Sequence, residues 1–172
     1  GGLQIFSGNS SAGESGKITV GSSSSQLGSG LFDIHTGAVN VGRSGDVLLK
    51  SGNSYAGASG DVQMMAGSGF GSYGGKVLVA AGNSSEDIGG NLYLASGGGD
   101  SSGSIEIGTV KSDSKVAGGI AISVGKSTSG IAGNVGISSG STTLGYGGSV
   151  SISSGAGERG GSIGIDAGEG ST

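Results

Sequence analysis

Apolar side chains recur along this chain in short alternating bursts. A glycine opens each burst, apolar residues follow two and four positions on, and in most bursts a glycine stands seven positions on. Clear instances are Gly45-Asp-Val-Leu-Leu-Lys-Ser-Gly52, Gly60-Asp-Val-Gln-Met-Met-Ala-Gly67, Gly75-Lys-Val-Leu-Val-Ala-Ala-Gly82 and Gly90-Asn-Leu-Tyr-Leu-Ala-Ser-Gly97. The opening glycines are Gly1, Gly16, Gly30, Gly45, Gly60, Gly75, Gly90, Gly103, Gly118, Gly133, Gly148 and Gly161, which makes 12 units spaced 13 to 15 residues apart. The third position runs Leu3, Ile18, Phe32, Val47, Val62, Val77, Leu92, Ile105, Ile120, Val135, Val150, Ile163. The fifth runs Ile5, Val20, Ile34, Leu49, Met64, Val79, Leu94, Ile107, Ile122, Ile137, Ile152, Ile165. A flexible linker has no reason to hold such columns in phase.

Alternation at a period of two predicts strands, and the Val and Ile that dominate both columns favour them. Glycines in every unit count against helices. Units this short and of one polarity stack most simply in parallel. The expected fold is therefore all-β: a parallel β-solenoid of about 12 coils with a 13–15-residue repeat and a thin, flattened core, one domain over residues 1–172. The third and fifth columns would form two buried aliphatic ladders, so that Val79→Asp or Ile122→Asp would be severely destabilising. Small residues such as Ser10, Ala12, Ser54 and Ala56 would line the facing wall. Glycines at positions one and eight would mark corners that need a positive φ or a close backbone approach, and Gly13, Gly57, Gly130 and Gly145 offer a third corner, which leaves two-sided and three-sided coils both open.

Composition bears this out as a special case. Glycine accounts for 44 of 172 residues and serine for 35, with no Pro, Cys or Trp and only 33% hydrophobic residues. Without proline there is no collagen or polyproline helix. Without cysteine there is neither a disulfide nor a thiolate ligand. The net charge of −4 argues against nucleic-acid binding, and no stretch has the apolar length of a membrane-spanning helix.

Chemistry is sparse. The single histidine, His35, stands two residues from Asp33 at an outward position, which reads as a solvated pair. No second histidine is present to build a metal site, and Gly97-Gly-Gly-Asp100 occurs once, outside the repeated calcium-binding pattern. Gly125-Lys126-Ser127 lacks the glycine spacing of a phosphate loop. Tyr55, Phe70 and Tyr73 come nearest to an aromatic binding cluster, and Leu48, Leu78 and Tyr93 to a lateral apolar surface. No catalytic, metal-binding or cofactor-binding residue is assigned. Asn9-Ser-Ser and Asn83-Ser-Ser match the acceptor pattern for N-linked glycans.

The unit Gly148-Ser-Val-Ser-Ile-Ser-Ser-Gly155 resembles those of Gly/Ser-rich β-solenoid arrays in large secreted or cell-surface fibrous proteins. A weaker resemblance is to ryegrass-type antifreeze solenoids, whose coils are of similar length but carry regular Thr, Ser or Val ranks; here only Thr128 and Thr143 share such a column. The resemblance implies a structural, non-enzymatic element of an extracellular fibre, filament or surface appendage. The alternative it implies is an ice-binding solenoid with a flat Ser/Thr face. The chain starts and stops without a capping element, so it is expected to be a segment of a longer array or to stack end to end. Leu3 and Ile5 at one end and Ile163 and Ile165 at the other would carry that axial stacking. Partners are then other copies or neighbouring segments, lateral proteins and glycans, with no nucleic acid and no membrane insertion.

Overall fold

The computed structural model describes residues 1–71, 73–113 and 116–170. It divides the chain into two units, Gly1–Asn91 and Leu92–Thr172. Among the described residues there is no helix and no strand. The expected parallel β-solenoid, with its flattened core, is therefore wrong for this structure: the chain is an irregular coil. None of the described residues is buried. The two aliphatic columns, expected inside, lie at the surface; Val79 is 56% and Ile122 73% exposed. An aspartate at either place would meet water, and the expected loss of stability falls away with the core.

The reason lies in where the backbone hydrogen bonds go. A solenoid joins equivalent residues of successive units, about 15 positions apart. The backbone bonds seen here are shorter in range. They run Gly16 N to Gly8 O, Gly75 N to Gly67 O and Gly90 N to Gly82 O in the first unit. In the second they run Gly103 N to Gly97 O, Gly148 N to Gly140 O and Gly161 N to Gly155 O. Each ties the glycine that opens one repeat to the glycine late in the repeat before it. Bonds of this kind close loops; they do not pair arms. An alternating run of five to seven residues has no strand identity without a partner, because sheet stability comes from cross-strand neighbours.

Each repeat accordingly has two parts. Its first seven residues form an arm without a bend, carrying the two apolar residues. Its remainder forms a loop that bends once, at 11–13, 26–27, 40–42, 55–57, 70–71 and 85–87 in the first unit and at 99–101, 113, 128–130, 143–145 and 157–159 in the second. The short repeats opened by Gly90 and Gly148 lose residues from the loop and keep the arm: their closing bonds span six residues where the others span eight.

Candidate functional site

The built feature of this chain is the loop, with a neck at its base and a turn at its tip. At the neck, the glycine opening one repeat lies against position seven of the previous one. A Cβ placed on Gly75 would stand 3.0 Å from the Ala66 Cβ and 3.2 Å from the nitrogen and oxygen of Gly67. Glycine is required there for proximity, since its φ is not positive. The corresponding distances are 3.2 Å from Gly148 to the Ser139 Cβ and 3.4 Å from Gly161 to the Ser154 Cβ. At two necks a side chain adds a clasp. The Ser139 hydroxyl donates to Gly148 O at 2.9 Å, and the Thr109 hydroxyl donates to Gly118 O at 3.2 Å.

The closed necks share a small residue at position seven. All six closed necks have alanine or serine there: Ser7, Ala66, Ala81, Ser96, Ser139 and Ser154. The three with a β-branched residue, Thr36, Thr109 and Val124, lack a closing backbone bond, and after Thr109 position eight is Val110, so that no glycine pair is present there. In those three a γ-methyl is the nearest atom to the opening glycine: Thr36 Cγ2 at 3.4 Å from a Cβ on Gly45, Thr109 Cγ2 at 3.5 Å on Gly118, and Val124 Cγ1 at 2.8 Å on Gly133. The methyl fills the space that backbone occupies in a closed neck. Two loops are open with serine at position seven: the one before Gly30, after Ser22, has Ser23 in place of the position-eight glycine, and nothing in the structure explains the one from Gly52 to Gly60, after Ser51.

At the tip, position ten supplies a hydroxyl that accepts the N–H of position thirteen. Gly13 N donates to Ser10 Oγ at 2.9 Å, Gly57 N to Ser54 Oγ at 3.0 Å and Asp87 N to Ser84 Oγ at 2.9 Å. This serine turn substitutes a side-chain acceptor for a backbone one. In three other loops position thirteen is a glycine with positive φ: Gly42 at 100°, Gly130 at 120° and Gly145 at 107°. The half-buried residues among those described are Ser7, Thr36, Ser51, Ser112 and Ser127. All are at neck or tip positions and all bear hydroxyls, while the apolar side chains of the arms are left bare.

The sequence-predicted residues are spread over this frame. Leu3 and Ile5 lie on the first arm at 87% and 64% exposure, and Ile163 and Ile165 on the last at 51% and 89%. Leu3 and Ile165 face solvent more than the inner members of their columns. Asn9 and Asn83 both sit one residue past a closed-neck glycine, on the shoulder of a loop, and both are exposed. His35 Nδ1 lies 3.4 Å from Asp33 Oδ2 in an exposed pair. The other ion pairs, Arg43–Asp46 and Lys111–Asp113, are exposed as well. Tyr55, Phe70 and Tyr73 are each almost wholly exposed and frame no groove. Thr128 and Thr143 fall at the bends of separate loops. Among the described residues there is no group of three or more His, Cys, Asp or Glu able to hold a metal, no pocket forms, and no helix is long and apolar enough to cross a membrane.

The neck rule and the serine turn are what the sequence reading missed. Their signals were present: the Asn-Ser pair recurs at 9–10, 53–54 and 83–84, and position seven is small in most repeats. No protein-family model, curated protein or solved structure matches this chain.

Proposed function

We propose that the chain is a structural, non-enzymatic component of an extracellular fibre, filament or surface appendage, and that it acts by associating with copies of itself or with neighbouring segments. One observation carries this reading. A pair of large apolar residues recurs in every one of the 12 repeats, and the structure leaves all of them open to solvent. Exposed apolar surface that recurs at a fixed interval is suited to lateral contact, since each pair on one chain finds an equivalent pair on another. Burial of a Val or Ile contributes ~1.5–3 kcal/mol, so a few matched pairs suffice to hold two chains together. The hydroxyl-rich loops between the pairs keep the remaining surface wetted.

Sedimentation velocity over a range of concentrations, with electron microscopy of the same samples, tests the reading. The wild-type chain is expected to assemble as its concentration rises. Val79→Asp with Ile122→Asp, one change in each unit, is expected to raise the concentration needed by roughly tenfold or more. A chain that stays monomeric throughout, or a double variant that assembles like wild type, overturns it.

A further inference from the structure

We propose that Asn9 and Asn83 are acceptors for N-linked oligosaccharide and that Asn53, in the same turn, is not. The inference rests on the extracellular reading above, because the modification belongs to the secretory route. All three asparagines occupy position nine of a repeat and precede a serine whose hydroxyl accepts the N–H of position thirteen. The turn therefore accounts for positions nine and ten in every case. It does not account for position eleven. There Asn9 has Ser11 and Asn83 has Ser85, and neither hydroxyl makes a hydrogen bond among the described residues; Asn53 has Tyr55. The acceptor pattern needs a hydroxyl at that place, two residues after the asparagine.

The loop supplies the rest. Both asparagines are exposed on a loop shoulder, where a bulky sugar displaces no packed side chain. The preceding glycine carbonyl is held in each case, by Gly16 N at 3.2 Å and by Gly90 N at 2.9 Å, so the loop base keeps its form while the acceptor reaches outward. The co-reactant is a polyprenyl-pyrophosphate-linked oligosaccharide. The asparagine Nδ2 bonds to the anomeric carbon, the carbon–oxygen bond to pyrophosphate breaks with its electron pair leaving on phosphate, and the amide loses one proton. Nothing is oxidised or reduced.

The test is translation of the full chain behind a cleavable secretory signal in the presence of microsomes, with glycans counted by gel shift and removed by amidase. Two glycans are expected on the protease-protected, signal-cleaved chain. Asn9→Gln and Asn83→Gln should each remove one, as should Ser11→Ala and Ser85→Ala. Tyr55→Ser should add a third, removed again by Asn53→Gln. An imported chain with no glycan, or with one that survives Asn9→Gln combined with Asn83→Gln, overturns the inference, and loss of either expected glycan overturns that site. Because import is read independently and self-association is measured on a separate sample, failure here leaves the fibre reading untouched, and failure of assembly leaves this result standing.

Discussion

Two loops of the second unit share a frame and differ in closure. The loop from Gly125 to Gly133 and the loop from Gly140 to Gly148 have the same length, the same end glycines and a positive-φ glycine at the same place, Gly130 and Gly145. They differ at the residue before the loop and at five places within it, among them Gly147 where the other loop has Ala132, next to the opening glycine. Where that residue is Ser139, the neck is closed: Gly148 N donates to Gly140 O at 2.9 Å, and the serine hydroxyl adds its own bond. Where it is Val124, a γ-methyl stands over Gly133 and the bond is missing. Val124 is also, at 46%, the least exposed large apolar side chain, because it lies against that glycine. Loops of one length thus take two states, and the Val124 γ-methyl stands where the closed neck has its backbone bond.

The largest change to this pair comes from the tips. Alanine at a φ of 107° or 120° is strained by about 1–3 kcal/mol, enough to depopulate a turn. Gly145→Ala should strip the Gly148 amide of its hydrogen-exchange protection, and Gly145→Asn should retain part of it, since asparagine tolerates positive φ better than alanine. Gly130→Ala carries the same strain, but its loop has no neck bond to lose. Amide exchange at Gly133 should therefore stay as it was. A loss of protection confined to one loop ties the tip to the neck; equal changes at Gly133 and Gly148 would separate them from this account.

Exchanging the position-seven residues has a smaller and more pointed effect. Val124→Ser removes the methyl and should let Gly133 N reach Gly125 O; Ser139→Val should open the other neck. An intramolecular hydrogen bond contributes about 0.5–1.5 kcal/mol net, so protection should rise roughly 2- to 12-fold at Gly133 and fall by the same factor at Gly148. If either amide fails to respond, side-chain size at position seven does not decide closure.

The sequence displayed the repeat and the punctuation but not the partner of each arm. Glycine at position one is legible because the neck demands close approach, as at Gly75. Of the four glycines placed near a corner by spacing alone, Gly130 and Gly145 take positive φ and Gly13 and Gly57 do not. The neck rule is local too, and could have been read from Thr36, Thr109 and Val124 interrupting a column of alanine and serine. What misled was the alternation at positions three and five. A period of two states which side chains share a face and says nothing of what covers that face. Val77 and Val79 alternate as any strand does, yet strand pairing depends on contacts far away in sequence, and those contacts are not formed here. No site chemistry was legible beyond the asparagine motifs because the charged side chains are few and their ion pairs, such as Asp33–His35, stand in water.

The smallest effect separates the two bonds of the closed neck. Ser139→Ala deletes the hydroxyl that donates to Gly148 O but leaves a side chain no larger than the Cβ already present. The necks after Ala66 and Ala81 show that no hydroxyl is needed: Gly75 N meets Gly67 O at 2.8 Å and Gly90 N meets Gly82 O at 2.9 Å. The glycine-to-glycine bond at 140–148 should therefore persist. The lost bond is exposed and competes with water, so its contribution belongs near the low end, about 0.5 kcal/mol, and protection at Gly148 should fall by no more than roughly twofold. Against the 2- to 12-fold loss expected for Ser139→Val, that difference divides bulk from hydrogen bonding at one position. Equal losses in the two variants would show that the hydroxyl, and not the small size of the side chain, holds the loop shut.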